Sequence, residues 1–198
     1  MEEKHLTIEG ARQLAKSRLS EKRYQHTSNV RDMAVELARL YGVDEDKAAL
    51  AAWLHDTAKE MPKAELLQIL RDNAIIRNDP PERPAPVWHG LAAAVLARDV
   101  WGVTDADVLA AVENHTTGRP GMSKLEKVVF LADMTCAERD FPGVDMLRRL
   151  ARQDLDTAML AALKHTLDFV KSTGKPVDPM SQATYEDLLK RTEGNDKT

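Results

Sequence analysis

Six side chains of the kind that hold metal ions are spread along the chain: His26, His55, Asp56, His89, His115 and Asp133. Each stands beside apolar positions in a stretch with helical periodicity. One buried histidine is ordinarily a packed core residue. Four histidines and two aspartates on apolar helix faces need another explanation, because a buried ionisable group is costly unless it is paired or bound to a cation. A metal site supplies it. Imidazole and carboxylate without thiolate suit iron, manganese, zinc and similar divalent ions. Six candidate ligands exceed what one tetrahedral ion takes, which favours two ions. Paired ions of this type lie roughly 3.5–4 Å apart, clamp a phosphate and activate water near neutral pH.

The adjacent residues His55 and Asp56 are the pivot. On a continuous helix successive side chains diverge by about 100°, so a shared ion would sit over the edge between them. The second carboxylate oxygen of Asp56 would then reach the other ion. Arg23 precedes His26 by three positions and Lys59 follows Asp56 by three, and residues three apart share a helix face. Cations there fit a phosphorylated substrate, Arg as a fork and Lys as a point charge. An exposed helix end accounts equally well for either one alone. Water activated there would attack a phosphorus of such a substrate, with Asp56 and Lys59 as catalytic residues and Arg23 helping to stabilise phosphate charge. His5, near the N-terminus, and His165, off the apolar stripe of Leu155, Met159, Ala162, Thr166 and Phe169, read as structural or solvent-facing. Cys136 reads as packing and the methionines as core filler. Trp53 fits the core, whereas Trp88 fits the core or a cleft wall equally.

The elements that must position these residues are all helical, and strand alternation is absent. The pattern predicts helices from Thr7 (an N-cap) to Leu19, about Lys22 to Tyr41 with Gly42 as the stop, and Asp44 to near Lys59. A short helix follows from Pro62 to about Asp72. Asn78 to Pro86 is a proline-punctuated loop. Further helices are expected over Pro86–Trp101, Thr104–His115, Ser123–Cys136, Val144–Ala151, Leu155–Ser172 and Pro179–Lys190, with a frayed polar tail from Thr192. Site residues lie on both sides of the proline loop, so the expectation is one all-α domain, residues 1–198, a helical bundle with the metal site between helices.

Composition narrows the function classes. The single cysteine rules out an intramolecular disulfide and a Cys-rich zinc module. No apolar run approaches the roughly 20 residues of a membrane span, and Met-Glu-Glu-Lys-His lacks the features of a signal peptide. A cytoplasmic protein without a membrane partner is expected. The formal net charge of −4 argues against general nucleic-acid binding. It leaves room for an anionic small molecule bound by local cations. A homodimer is compatible with the sequence, which leaves the oligomeric state open.

The order His26, His55-Asp56, Asp133 resembles the HD-domain superfamily of metal-dependent phosphohydrolases. Finer motifs narrow the resemblance: Arg23-Tyr-Gln-His-Thr27, His115-Thr-Thr-Gly118, Met122-Ser-Lys-Leu-Glu-Lys127, Ala132-Asp-Met-Thr-Cys-Ala-Glu-Arg139, Phe141-Pro-Gly143 and Gly174-Lys-Pro-Val-Asp-Pro179. Together they are similar to the YqeK-type bacterial hydrolases, over about residues 5–190. That resemblance implies symmetric cleavage of diadenosine tetraphosphate, a dinucleoside polyphosphate, into two ADP. It implies His26, His55, Asp56 and Asp133 as ligands of one metal and Asp56, His89 and His115 as ligands of a second. The metal it implies is iron first, with manganese or another divalent ion as alternatives. It also implies that Arg23, Lys59, Arg139 and the turn Thr116-Thr117-Gly118 lie near the phosphates, next to His89 and His115. The loop Pro176, Val177, Asp178 and Pro179 would lie near the nucleoside. Two other functions stay open: an HD-type nucleotidase acting on nucleoside monophosphates, and a non-catalytic helical binding module.

Overall fold

A computed structural model describes residues 6–79 and 81–195. Every regular element among these residues is helical, as the periodicity predicts. The order is α1 (Ile8–Arg18), α2 (Glu21–Tyr41), α3 (Glu45–Leu54), α4 (Lys63–Asp72), a 3-10 turn (Ala85–Val87), α5 (Trp88–Asp99), α6 (Ala106–Asn114), α7 (Lys124–Thr135), α8 (Val144–Ala151), α9 (Leu155–Ser172) and α10 (Pro179–Asn195). Local chemistry sets the starts. Thr7, Ser20, Asp44, Asp105, Ser123 and Asp154 each accept from a backbone N–H of the first turn, a cap worth about 1 kcal/mol. Ser123 and Glu126 complete a reciprocal capping box on α7. Gly42 stops α2 in the left-handed conformation, φ 65°.

The interior is built on α3 and α7. Helix α3 packs on α1, α2, α5, α6 and α7, and α7 packs on α2, α3, α6, α8 and α9. Neither has a continuous polar face: Ala48, Ala49, Ala51, Ala52, Trp53 and Leu54 are buried in α3, and Leu125 to Ala132 are all buried in α7. The alanines let neighbouring helices approach closely on several sides, which is how candidate ligands from five helices and their closing turns can meet at one point. Trp88 belongs to this core, with its indole N–H donating to the Arg83 carbonyl at 2.9 Å.

Two boundaries depart from expectation. Helix α3 ends at Leu54 rather than near Lys59. Residues 54–61 continue as tight turns, with Thr57 N–H donating to Leu54 O (3.1 Å), Lys59 N–H to Asp56 O (2.8 Å) and Met61 N–H to Ala58 O (3.2 Å). The cause is tertiary: Glu60 accepts from the backbone N–H and the hydroxyl of Ser20 at 2.6 and 2.7 Å, pulling the segment onto the start of α2. Helix α10 runs to Asn195, past the expected end at Lys190 and the tail expected from Thr192. The Thr192 hydroxyl donates to Leu188 and Leu189 carbonyls, so a polar residue is satisfied inside the helix. His5 lies outside the described residues.

Candidate metal centre and cleft

All six predicted ligands converge. His26 comes from α2, His55 and Asp56 from the turn that closes α3, His89 from the first turn of α5, His115 from the end of α6 and Asp133 from α7. His55 and His115 are the C-cap residues of their helices, so the partial negative charge of two helix C-termini lies beside the cluster, where it favours cations.

The orientation of each imidazole is fixed from behind. Nδ1 of His55 is 2.6 Å from Ala52 O, Nδ1 of His89 is 3.0 Å from Pro86 O, and Nδ1 of His115 is 2.7 Å from Val112 O. A carbonyl can only accept, so Nδ1 carries the proton in each case and Nε2 presents a lone pair. His26 does the same through the Glu138 carboxylate, which its Nδ1–H contacts and which Asn29 also holds. Backing of a ligand histidine by a carbonyl or carboxylate is the usual support of a metal ligand.

The front sides divide into two groups around one carboxylate. Oδ1 of Asp56 lies 3.2 Å from His89 Nε2 and 3.7 Å from His115 Nε2. Its Oδ2 lies 3.6 Å from His55 Nε2 and 3.7 Å from His26 Nε2. Asp133 Oδ1 joins the second group, 3.1 Å from His26 Nε2. His26–His55–Asp56 and Asp56–His89–His115 are each compact enough to hold an ion. The break in α3 makes this possible, since it turns His55 and Asp56 toward the same point.

The donor set fits divalent ions. Nε2 of His26 and of His55 is buried without a hydrogen-bond partner. The Nε2 atoms of His89 and His115 face each other at 3.1 Å, and with both protons on Nδ1 two lone pairs repel unless a cation lies near. Burial holds His55 and His89 neutral, each down to about pH 4, which keeps them available as ligands. Burial opposes the charge on Asp56, but His55, His115, His89 and Lys59 outweigh it and hold the carboxyl well below its usual range. Asp133 is likewise lowered against burial, by His26, Arg139 and His55. His26 is also disfavoured as a cation by burial, yet Asp133 and Glu138 raise its pKa overall. A positive charge is thus favoured between His26 and Asp133.

The predicted cations flank the cluster. Arg23 Nη1 donates to Asp56 Oδ2 at 3.1 Å, and Lys59 Nζ lies 3.2 Å from His89 Nε2 and 3.9 Å from Asp56 Oδ1. Arg139 holds Asp133 through its backbone carbonyl at 2.7 Å and through its carboxylate. A cleft of about 830 Å³ opens from His26, and Arg23, Arg139, Glu138, Phe141 and His165 are among its walls.

Two further segments expected near substrate are joined to each other. The Thr116–Gly118 turn and the Pro176–Pro179 loop are not among the cleft walls. They bind each other through Arg83, whose guanidinium pairs with Asp178 at 2.8 and 3.0 Å and reaches Thr117 Oγ1 at 3.4 Å. Gly118 (φ 64°) packs against Thr184 of α10, where a Cβ would come within 2.6 Å of Thr184 Cγ2. This arrangement anchors α10 beside His115. His165, expected to be structural or solvent-facing, stacks on Phe141 in the cleft wall. Cys136 is packing, buried 3.8 Å from His26 Nδ1, its thiol pushed up to about 12 by burial and by Glu138 and Asp133.

Three supporting residues escaped sequence reasoning. Glu138 backs His26 across 112 positions; its only sequence signal is its place in the Ala132–Arg139 motif. Gly90 leaves room for the His115 ring, since a Cβ there would lie 2.9 Å from His115 Cε1. Arg83 sat unremarked in the proline loop.

This centre, carried on a helical scaffold with His55-Asp56 at its heart, defines a class. Residues 23–138 match the HD domain family, and the chain belongs to that family. Within it, the chain is 42% identical over 179 residues to the symmetrical bis(5'-nucleosyl)-tetraphosphatase of Halalkalibacterium halodurans, covering 90% of this chain and 95% of that protein. It is 41% identical to the protein of the same name from Bacillus subtilis, over 88% of this chain and 93% of that one. The crystal structure of a predicted HD superfamily hydrolase involved in NAD metabolism from Clostridium acetobutylicum superimposes with a TM-score of 0.89 at 38% identity, covering 94% of this chain and 99% of that one.

Proposed function

We propose that the protein is a metal-dependent hydrolase that cleaves diadenosine tetraphosphate symmetrically into two ADP. The observation that carries this reading is the split of the Asp56 carboxylate, one oxygen toward His89 and His115 and the other toward His26 and His55. A phosphoanhydride needs charge at both the attacked phosphorus and the departing oxygen, and a shared carboxylate places two cation sites side by side. The tetraphosphatase relatives support the choice of substrate.

His26, His55, Asp56 and Asp133 would hold one ion, and Asp56, His89 and His115 the other. Divalent ions bound there, iron by preference, supply Lewis acidity and activate water near neutral pH. The chain's own residues do the rest. Arg23, beside Asp56 in the cleft wall, presents a fork that fits two phosphate oxygens. Lys59 brings a compact positive charge to the His89 side, where negative charge on a phosphate grows as the bond breaks. The carbonyls behind His55, His89 and His115 hold the rings still, so little reorganisation accompanies the reaction. Arg139 clamps Asp133 and adds positive charge to the cleft wall.

Residues 1–198 act as one domain in this reading. Working on free nucleotides, the enzyme belongs in the cytoplasm; a homodimer is tested by light scattering. Hydrolysis of diadenosine tetraphosphate in isotopically labelled water checks the reaction. The expected result is ADP as the sole nucleotide product, with label on a terminal phosphate. ATP plus AMP, or turnover confined to nucleoside monophosphates, would overturn it.

A further inference from the structure

The segment that carries Asp56 and Lys59 lies beyond the end of α3, so the helical ladder does not hold it in place. It is pinned instead on both sides of Lys59. On one side Arg18 Nε, from the last turn of α1, donates to the Thr57 carbonyl at 3.1 Å, and its guanidinium lies over the Trp101 ring, 5.4 Å from the centroid. On the other side the Glu60 carboxylate accepts from the Ser20 backbone N–H at 2.6 Å and from the Ser20 hydroxyl at 2.7 Å. Ser20 is the N-cap of α2, and its hydroxyl oxygen accepts in turn from the Arg23 N–H at 3.4 Å. One carboxylate thus joins the two elements that present Lys59 and Arg23. Ser20, Arg23 and Glu60 all line the cleft.

A carboxylate in the wall of a cleft for a polyphosphate repels its ligand, so what it holds has to account for its presence. We propose that Glu60 is a positioning residue: through Ser20 it fixes the turn of residues 54–61 against the start of α2, and so sets the spacing of Lys59 and Arg23 around the substrate phosphates. The proposal rests on the hydrolytic reading for the roles of those two cations. The carboxylate also sits at the N-terminus of α2, where negative charge is favoured. Glu60 and Ser20 are both exposed, so water replaces their bonds when these are lost and their share in global stability is small. Turnover is far more sensitive, because a displacement of about 1 Å in a positioned group costs on the order of 10² in rate.

Three variants separate reach from charge. Glu60→Gln keeps the length, and its amide can still accept from the Ser20 N–H while donating to the hydroxyl oxygen. Glu60→Asp keeps the charge but is one methylene short, and Glu60→Ala removes both. The kcat for diadenosine tetraphosphate should stay close to wild type in Glu60→Gln and fall about tenfold or more in Glu60→Asp and Glu60→Ala, with metal content and Tm near wild type in all three. Because Glu60 acts through Lys59, adding Glu60→Ala to Lys59→Ala should lower kcat much less than it does alone. Calorimetric affinity of the metal-loaded proteins for inorganic pyrophosphate should follow the same order without any need for turnover. The reverse order, with Glu60→Asp like wild type and Glu60→Gln impaired, would show that Glu60 acts by charge and would overturn the proposal. Full multiplication of the Glu60→Ala and Lys59→Ala effects would also overturn it, as would unchanged kinetics and pyrophosphate binding in all three variants. Pyrophosphate binding that depends on Glu60 in the stated order, in a wild type that does not turn over diadenosine tetraphosphate, would remove the hydrolytic reading and leave the positioning role standing.

Discussion

The two ends of the cleft are built on opposite principles. At the inner end each imidazole is locked from behind, Asp56 is buried, and the rings have almost no solvent exposure. On the α9 side of the cleft Phe169 is exposed, and Phe141 stacks on His165. Chemistry at a phosphorus needs groups fixed before the substrate arrives, since preorganisation is where the rate comes from. The division also follows burial. Unpaired lone pairs are sustained only inside a packed core of helices, and that core cannot also offer an open platform.

Substitutions at the inner end should therefore cost turnover or metal, and the first tests the cation there. Lys59→Ala removes a positive charge 3.2 Å from His89 Nε2 without removing a ligand. Loss of a well-placed stabilising group typically costs on the order of 10²–10³ in rate, and metal content should stay near wild type. Steady-state kinetics with elemental analysis checks this; unchanged kcat would place Lys59 outside the chemistry. Glu138→Gln should have a smaller effect. It leaves every ligand in place but weakens the partner that orients His26, and changes at such positions typically lower metal affinity by about 10–100-fold. Competition with a metal-binding dye measures it, and wild-type affinity would show that His26 needs no carboxylate behind it.

The smallest expected effect is on the stability of the metal-free protein. His55 and His89, held by burial to about pH 4 in the fold, titrate near 6.5 in the unfolded chain. Between those values the unfolded state binds more protons, so stability falls as pH drops from 6.5 toward 4. His26 acts in the opposite sense: its raised pKa gives stability that is present below 6.5 and lost as pH rises through the raised value. Chelated protein should therefore be most stable near pH 6.5, with Tm lower by several degrees at pH 5. Each kcal/mol is worth about 2–4 °C in a chain of this size. Calorimetric scans at pH 5, 6.5 and 8 decide it, and a higher Tm at pH 5 than at 6.5 would contradict the account.

The same contrast marks what could be read from sequence. Caps such as Thr7 and Asp44 and the stop at Gly42 are local and were legible. So was the set of six candidate ligands that the fold brings together, because ionisable residues on apolar helix faces are anomalous wherever they occur. The early end of α3 was not legible, since it follows from Glu60 bonding to Ser20 forty positions away. Glu138 was missed for a similar reason: nothing local marks a carboxylate as the partner of a distant histidine. The stacking of His165 on Phe141 was not legible, because a helical stripe sorts residues into core and solvent and does not mark a cleft wall. The contacts by which Arg83, Asp178 and Thr184 bind the Thr116–Gly118 turn and the Pro176–Pro179 loop to each other were not legible either, since they join residues far apart in the chain.

The central claim is that one carboxylate joins two metal sites, and metal stoichiometry tests it most directly. Protein purified without chelator and saturated with iron or manganese should hold two ions per chain. His26→Ala and His89→Ala should each keep about one, because each removes a ligand from a single group. Asp56→Ala should hold less than either, with its helical circular dichroism unchanged. A wild type that saturates at one ion, or an Asp56→Ala protein that retains as much metal as the His89→Ala protein, would contradict the shared-carboxylate account.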